Sequence, residues 1–260
     1  MELSGRIAVV TGAAGGIGSA LVRALTQQRC KLVVATDLDP GRIVGGPGII
    51  ARALDVGDAV ATQDLVDTIE QEHGPIDLWF ANAGVATGGG PEMPDTTWML
   101  QWNINVMAHV YATRALLPRW LERGEGHLVT TASMAGLLST VGDGVYAATK
   151  HAAVGYAEWL AFTYGDRGIR VSCVCPGAVD TDMLRAGSDG DAAKAAAIIG
   201  GGVVATPDEA AAAVMAGVAE DRFLIYTHPD LQQFVIGKAK DPERWISGMR
   251  RLHAKSQVLG

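Results

Sequence analysis

In "VYAATKHAAVGYAEWL", residues 145–160, Tyr146 stands four positions ahead of Lys150. At helical spacing the two share one face. The pair is either a chance alignment on a surface helix or a phenol kept acidic by an ammonium group. Thirteen residues before the tyrosine, Ser133 follows an apolar run in "TTASMAG". Asn105 lies inside a long helical pattern, in the fairly apolar stretch "NINVMAHV". An amide there competes with backbone hydrogen bonds, so a buried role is at least as good a reading as an exposed one. The choice depends on the elements that carry these residues.

Those elements alternate. Apolar runs at 6–12, 31–37, 49–56, 76–84, 126–133, 169–177 and 222–227 read as seven strands. Helical patterns fall at 16–28, 61–74, 95–124, 146–168 and 207–221, the last with Thr206 as cap and Pro207 at its first position. Near-continuous apolar strands alternating with helices predict a single-domain α/β fold over residues 1–260. It is a doubly wound parallel sheet of the Rossmann type, with helices on both faces. In such sheets the binding crevice lies beyond the C-terminal strand ends, so strand ends are where functional residues are sought.

Composition supports this. Of 260 residues, 48% are apolar and 19% charged, enough for an ample core. The formal charge of −7 comes with no basic run, which argues against nucleic acid or an anionic membrane as partner. No segment approaches the length of a membrane span. "MELSGRIAVVTG" has too short an apolar run for a signal peptide. Cys30, Cys173 and Cys175 are odd in number, and C-x-C is not a zinc or thioredoxin spacing. They read as structural thiols in a reducing compartment, hence a cytoplasmic protein. No His/Cys/Asp cluster has metal-ligand spacing, so no metal is expected.

At the first strand end stands "TGAAGGIG", residues 11–18. Gly12 permits the tight turn, Gly16 lets backbone approach a pyrophosphate, and Gly18 lets helix pack on strand. Following a strand and opening a helix, this is the context of a dinucleotide fingerprint. Asp37 ends the second strand, where a carboxylate accepts ribose hydroxyls and repels a 2′-phosphate. That favours NAD over NADP, with Arg42 close by in sequence. Asp37 could equally be a turn aspartate before "DPG". Asp55 ends the third strand, within reach of an adenine amino group. "ANAG" (81–84) ends the fourth, with Asn82 able to tie strand ends together. "PGAVDT" (176–181) follows the sixth.

With "TGAAGGIG", Asp55, "ANAG", Asn105, Ser133, "YAATK" and "PGAVDT" in this order, the chain resembles the short-chain dehydrogenases/reductases over about residues 5 to 230. The resemblance implies a nicotinamide cofactor and reversible alcohol oxidation or carbonyl reduction. It implies Asn105, Ser133, Tyr146 and Lys150 as the catalytic group. It also implies cofactor contacts from Gly12, Gly16, Ile17 and Gly18, from Asp37, Asp55 and Val56, and from Asn82, Ala83 and Gly84. The remaining contacts come from Tyr146, Lys150, Pro176, Gly177, Val179 and Thr181, the last with the Val179 backbone at the nicotinamide carboxamide.

The chemistry accounts for these residue types. A free phenol titrates near ~10 and is a poor base at neutral pH. Lys150 and the positive charge of oxidised nicotinamide would together stabilise the phenolate, making Tyr146 base in oxidation and acid in reduction. Ser133 would donate to the substrate oxygen, and Asn105 would hold a water linking Lys150 to solvent. Met134, Leu137, Leu138, Asp143, Met183 and Leu184 are expected around a small, uncharged, apolar alcohol or ketone. Asp143 caps the helix or contacts substrate. Residues 183–205 are expected as a lid. Residues 228–260 are expected as a helical extension that covers the pocket or reaches a neighbour. Helices 95–122 and 146–166 would form the interface of a homodimer or homotetramer. Two rivals remain: an NADP-dependent carbonyl reductase, and a sensor that binds NAD without turnover.

Overall fold

The structure, a computed structural model, describes residues 2–186 and 204–259. Seven strands form one sheet in the order β3-β2-β1-β4-β5-β6-β7. They are β1 (Ile7–Thr11), β2 (Leu32–Asp37), β3 (Ile49–Ala53), β4 (Leu78–Ala81), β5 (Gly126–Thr131), β6 (Ile169–Cys175) and β7 (Leu224–Tyr226). Every neighbouring pair is parallel. The chain runs outward from β1 to β3, then crosses back to place β4 on the other side of β1. That reversal opens a crevice between the C-terminal ends of β1 and β4.

Strand periodicity explains why both faces are covered. Successive side chains alternate between faces. Ile7 and Val9 enter one apolar cluster, Ala8 and Val10 the other. The first cluster is closed by α2 (Ala59–His73), α4 (Ala108–Arg123) and α6 (Gly144–Tyr164), through Leu65, Ile69, Leu116, Trp120, Ala157 and Leu160. The second is closed by α1 (Gly16–Gln27) and α8 (Pro207–Ala219), through Leu21, Leu25, Val214 and Val218. Thr206 opens α8 with a full capping box to Glu209. Cys173 and Cys175 lie buried on one face of β6, as the alternation requires. No helix among the described residues is long and apolar enough to cross a membrane.

Three boundaries differ from the sequence reading. Strand β3 stops at Ala53, because Asp55 folds into a turn by accepting from the Gly57 amide at 2.8 Å. The pattern at 95–124 is not one regular helix: α3 (Asp95–Trp102) passes through a π-turn (Asn103–Met107) before α4 begins. The helix bearing Tyr146 begins two residues earlier than expected, since Asp143 caps it, and ends at Tyr164. The remaining helices are α3, α5 (Ala135–Leu138), α7 (Asp182–Ala186), α9 (Gln232–Lys240) and α10 (Pro242–Leu259). Of the segment expected as a lid, residues 187–203 lie outside the described residues.

Two core histidines carry a pH signature. Burial pushes His109 down to about 3, helped by the charge on Lys150, and His127 down to about 4. His127 donates through Nε2 to Ser172 Oγ at 3.0 Å, since Ser172 already donates to the Arg222 carbonyl. Below the ordinary histidine value of 6.5 the unfolded chain takes up protons that these buried rings refuse. Their contribution is therefore fully present above that value and is lost as pH falls toward about 4. The slope is at most about 1.4 kcal/mol per pH unit for each ring. Urea unfolding at pH 7 and pH 5 should show a clear loss in the wild type and a smaller one in His109→Leu. Equal losses would contradict this account.

Candidate active site

The Gly-rich turn is built for close approach. Gly12 has φ +64°, and a Cβ there would lie 3.0 Å from the Ala83 Cα. At Gly18 a Cβ would lie 2.0 Å from the Gly12 carbonyl oxygen, so helix and turn meet with no room for a side chain. Gly16, at φ +53°, touches the Thr181 methyl group, which brings the turn after β6 against the turn after β1. Ile17 packs half-buried on the second core cluster. The first turn of α1 has no side-chain cap and no acidic residue. Its amides are left as donors for an anion at the crevice.

Around this turn the other predicted residues converge. Asp37 accepts from the Ala14 amide at 3.0 Å through one carboxylate oxygen. Asn82 donates to the Thr11 carbonyl at 2.9 Å and accepts from Thr131 Oγ1 at 3.4 Å, joining the ends of β1, β4 and β5. Gly84 sits where a Cβ would come within 3.3 Å of both Asn105 Oδ1 and Lys150 Nζ. Pro176 accepts from the Met134 amide at 2.8 Å, and Gly177 donates to Thr227 Oγ1 at 3.2 Å. Thr181 donates to the Val179 carbonyl at 3.2 Å, and Val179 pairs with Ala205. Asp55 is placed two residues beyond β3, with one oxygen taken by Gly57. Val56 packs mainly against the first core cluster.

The reacting end is assembled by α6. Tyr146 lies in its first turn and Lys150 in the next, with Nζ 5.5 Å from the tyrosine ring centroid. The Ser133 hydroxyl lies near enough to the Tyr146 phenol to favour its ionised form. Lys150 is 2% exposed and donates to the Thr131 carbonyl at 2.9 Å. Burial dominates both groups. It pushes the phenol up to about 12, with the nearby Ser133 hydroxyl opposing, and the ammonium down to about 8. The sequence expectation counts the charge of Lys150 together with that of oxidised nicotinamide, and in the protein by itself burial is the largest influence on the phenol.

Asn105 is fully buried in the π-turn. Its oxygen accepts from the Val85 amide at 2.9 Å. Its nitrogen donates to the Val85 carbonyl at 2.9 Å and to Thr149 Oγ1 at 3.1 Å. Both N–H groups are thus used within the protein, and the amide staples the loop after β4 to the helix. Asp143 is a cap, accepting from the Tyr146 amide at 2.8 Å, and its second oxygen accepts from Gly88 at 2.9 Å. Met134 and Leu138 point into the core rather than a pocket, whereas Leu137 and Met183 remain accessible.

Sequence reasoning missed Gln101, which is fully buried one helical turn before Asn105. The i, i+4 spacing of two amides in an apolar helix was the available signal. The C-terminal extension folds back over its own chain. Leu231 and His228 lie against Gly177, and Lys238 donates to the Leu137 carbonyl at 2.6 Å.

Known proteins agree with this geometry. Residues 6–192 match the family model described as short chain dehydrogenase. The chain is 38% identical to a 1-deoxy-11-beta-hydroxypentalenate dehydrogenase of Streptomyces avermitilis, over 89% of this chain and 88% of the relative. It is 32% identical to a 3beta-hydroxysteroid dehydrogenase 2 of Eggerthella lenta, over 74% of this chain and 79% of that one. A short-chain dehydrogenase/reductase from Burkholderia phymatum, solved in complex with NAD, superposes with a TM-score of 0.83 at 29% identity. That match covers 94% of this chain and 96% of the other. The chain belongs to the short-chain dehydrogenase/reductase family. It is accordingly an NAD(P)-dependent oxidoreductase acting on hydroxyl-bearing carbon.

The cradle can be tested by filling it. Gly18→Ala places a methyl group on the Gly12 carbonyl, a contact no backbone adjustment of a few tenths of an ångström relieves. Calorimetric titration with NAD should show affinity at least about tenfold weaker, the equivalent of ~1.4 kcal/mol, together with a lower Tm. Unchanged affinity would contradict the assignment of this turn.

Proposed function

We propose that this protein interconverts a secondary alcohol and a ketone with NAD, using Tyr146 as general acid and base. The observation that carries this reading is the juxtaposition of Tyr146, Ser133 and Lys150 at the strand ends, across the crevice from the glycine cradle.

The cradle's residues fit a dinucleotide. The close-packed glycines leave space for it, and the uncapped α1 terminus offers amides to a pyrophosphate. Asp37 keeps one oxygen for a ribose hydroxyl while the other holds Ala14. Its charge disfavours a 2′-phosphate. Arg42, the basic residue nearest in sequence, leans instead toward Asp182 at 3.9 Å. When bound, oxidised nicotinamide supplies the hydride acceptor and a positive charge. Ser133 holds the substrate oxygen beside the phenol. Tyr146 takes the hydroxyl proton at its phenolic oxygen in oxidation and returns it in reduction. Lys150 has N–H donors beyond the one given to Thr131, free for ribose hydroxyls, and its charge favours the phenolate.

The substrate side is apolar. The names of the two relatives both denote hydroxylated compounds, a hydroxypentalenate and a hydroxysteroid. An alcohol on an apolar carbon skeleton suits Leu137, the tail that reaches it, and the exposed Met183. The chain works as one nucleotide-binding domain, with Met183, Leu184 and the described part of the C-terminal extension bordering the substrate. Exposed Met99, Leu100 and Trp102 on α3, with Trp159 and Phe162 on α6, support a homodimer or homotetramer through these helices. The free thiols fit a cytoplasmic setting.

Absorbance of reduced nicotinamide, followed with a panel of secondary alcohols, tests the reading. Turnover with NAD is expected, with Tyr146→Phe lowering kcat at least about 10³-fold. Since oxidation needs the phenolate, its kcat/KM should rise with pH up to the inflection, and reduction should fall over the same window. Asp37→Ala should shift preference toward NADP. NAD binding without turnover on any alcohol would favour the sensor reading.

A further inference from the structure

Segment 85–90 runs from Lys150 to the first turn of α6. Gly84 abuts Lys150 Nζ at one end, and Gly89 pairs with Asp143 at the other. Left alone this segment would be loose. Gly88 and Gly89 have φ +72° and +90°, conformations that side-chain-bearing residues rarely adopt, and glycines lose the most freedom on ordering. Yet it is tethered at nearly every residue. Asn105 pairs with both polar backbone groups of Val85. Gln101 donates to Thr87 Oγ1 at 2.7 Å. Asp143 accepts from Gly88 at 2.9 Å, Gly89 donates to the Gly142 carbonyl at 2.8 Å, and Gly144 donates to the Gly89 carbonyl at 2.8 Å.

Two of these tethers, Gln101 and Asp143, come from side chains outside the predicted catalytic group. A glutamine with 0% exposure inside a helix is costly unless its amide is employed. Here it is employed on Thr87 and, at 3.4 Å, on Asn105. A helix cap needs one acceptor oxygen, and Asp143 spends that one on the Tyr146 amide. Its other oxygen joins the loop to the same helix turn. The bond is charge-assisted and therefore about twice as strong as a neutral one.

We propose that Gln101 and Asp143 are positioning residues that lock segment 85–90 against the helix carrying Tyr146, so that the wall beside the reacting hydroxyls has one fixed shape. Asp143 thereby sets both sides of that wall with a single carboxylate: the start of the tyrosine helix and the loop that faces it. The inference rests on the proposed alcohol chemistry only for its kinetic consequence; the tether itself is independent of it.

Asp143→Ser separates the two functions, because serine can still cap α6 but cannot also reach Gly88. Hydrogen exchange of the full-length protein should show amides 85–90 exchanging at least about tenfold faster in this variant. The first turn of α6 should keep its protection. Gln101→Met, similar in shape and unable to hold Thr87, should act in the same direction. With a turned-over alcohol, both variants should raise the KM for alcohol about tenfold, change kcat less, and leave the KM for NAD near the wild-type value. A merely structural role would lower Tm without this split. Wild-type exchange across 85–90 in both variants, or an unchanged alcohol KM, would overturn the proposal. A wild type that oxidises no alcohol would sink the functional reading alone, since exchange still decides the tether.

Discussion

The site depends on one electrostatic tension, a half-buried phenol set beside a buried ammonium group. Lys150 lies out of water against a backbone carbonyl, and Tyr146 is half-buried next to it. Burial disfavours the charged form of each, raising the phenol to about 12 and lowering the ammonium to about 8. The protein alone therefore holds a neutral phenol. A positive charge arriving in the same low-dielectric space acts with little screening. That is a useful property in a base that should form only when cofactor is present. The neutral His109 ring belongs to the same design, because a charge there would compete with that of Lys150.

Everything around the pair keeps it in place. The switch in strand order puts the ends of β1, β4, β5 and β6 along one crevice. Asn82 ties three of those ends together, and Thr131 anchors Lys150 from the end of β5. The π-turn lets Asn105 point inward from a helix that continues on either side, a frequent device at functional sites. The glycines do the opposite work, removing side chains where backbone must come close.

Much of this was legible in the sequence. Strand number, parallel pairing and the helices on both faces followed from apolar runs alternating with helical periods, since burial on both faces forces such runs. The proximity of Tyr146, Lys150 and Ser133 followed from helical spacing and strand-end logic. What escaped was set by three-dimensional competition. The phenol's direction of shift could not be read from a Y-x-x-x-K spacing, because burial outweighs charge only once the surroundings are known. The π-turn leaves no period in the sequence. The second bond of Asp143 goes to Gly88, 55 residues away. The extension's path over Gly177 and Leu137 rests on Leu231 and Lys238, residue types with no motif around them.

The proposed mechanism makes Tyr146 a base through the charge of bound NAD added to that of Lys150. Carbon-13 NMR of ring-labelled tyrosine, compared between wild type and Tyr146→Phe, isolates this one ring. Followed over a pH titration with and without NAD, it reads the ionisation directly. The account predicts a neutral phenol throughout the stable alkaline range without NAD, and ionisation drawn down into that range when NAD is bound. Ionisation near the ordinary phenol value of ~10 without cofactor, or a titration that NAD leaves unmoved, would contradict it.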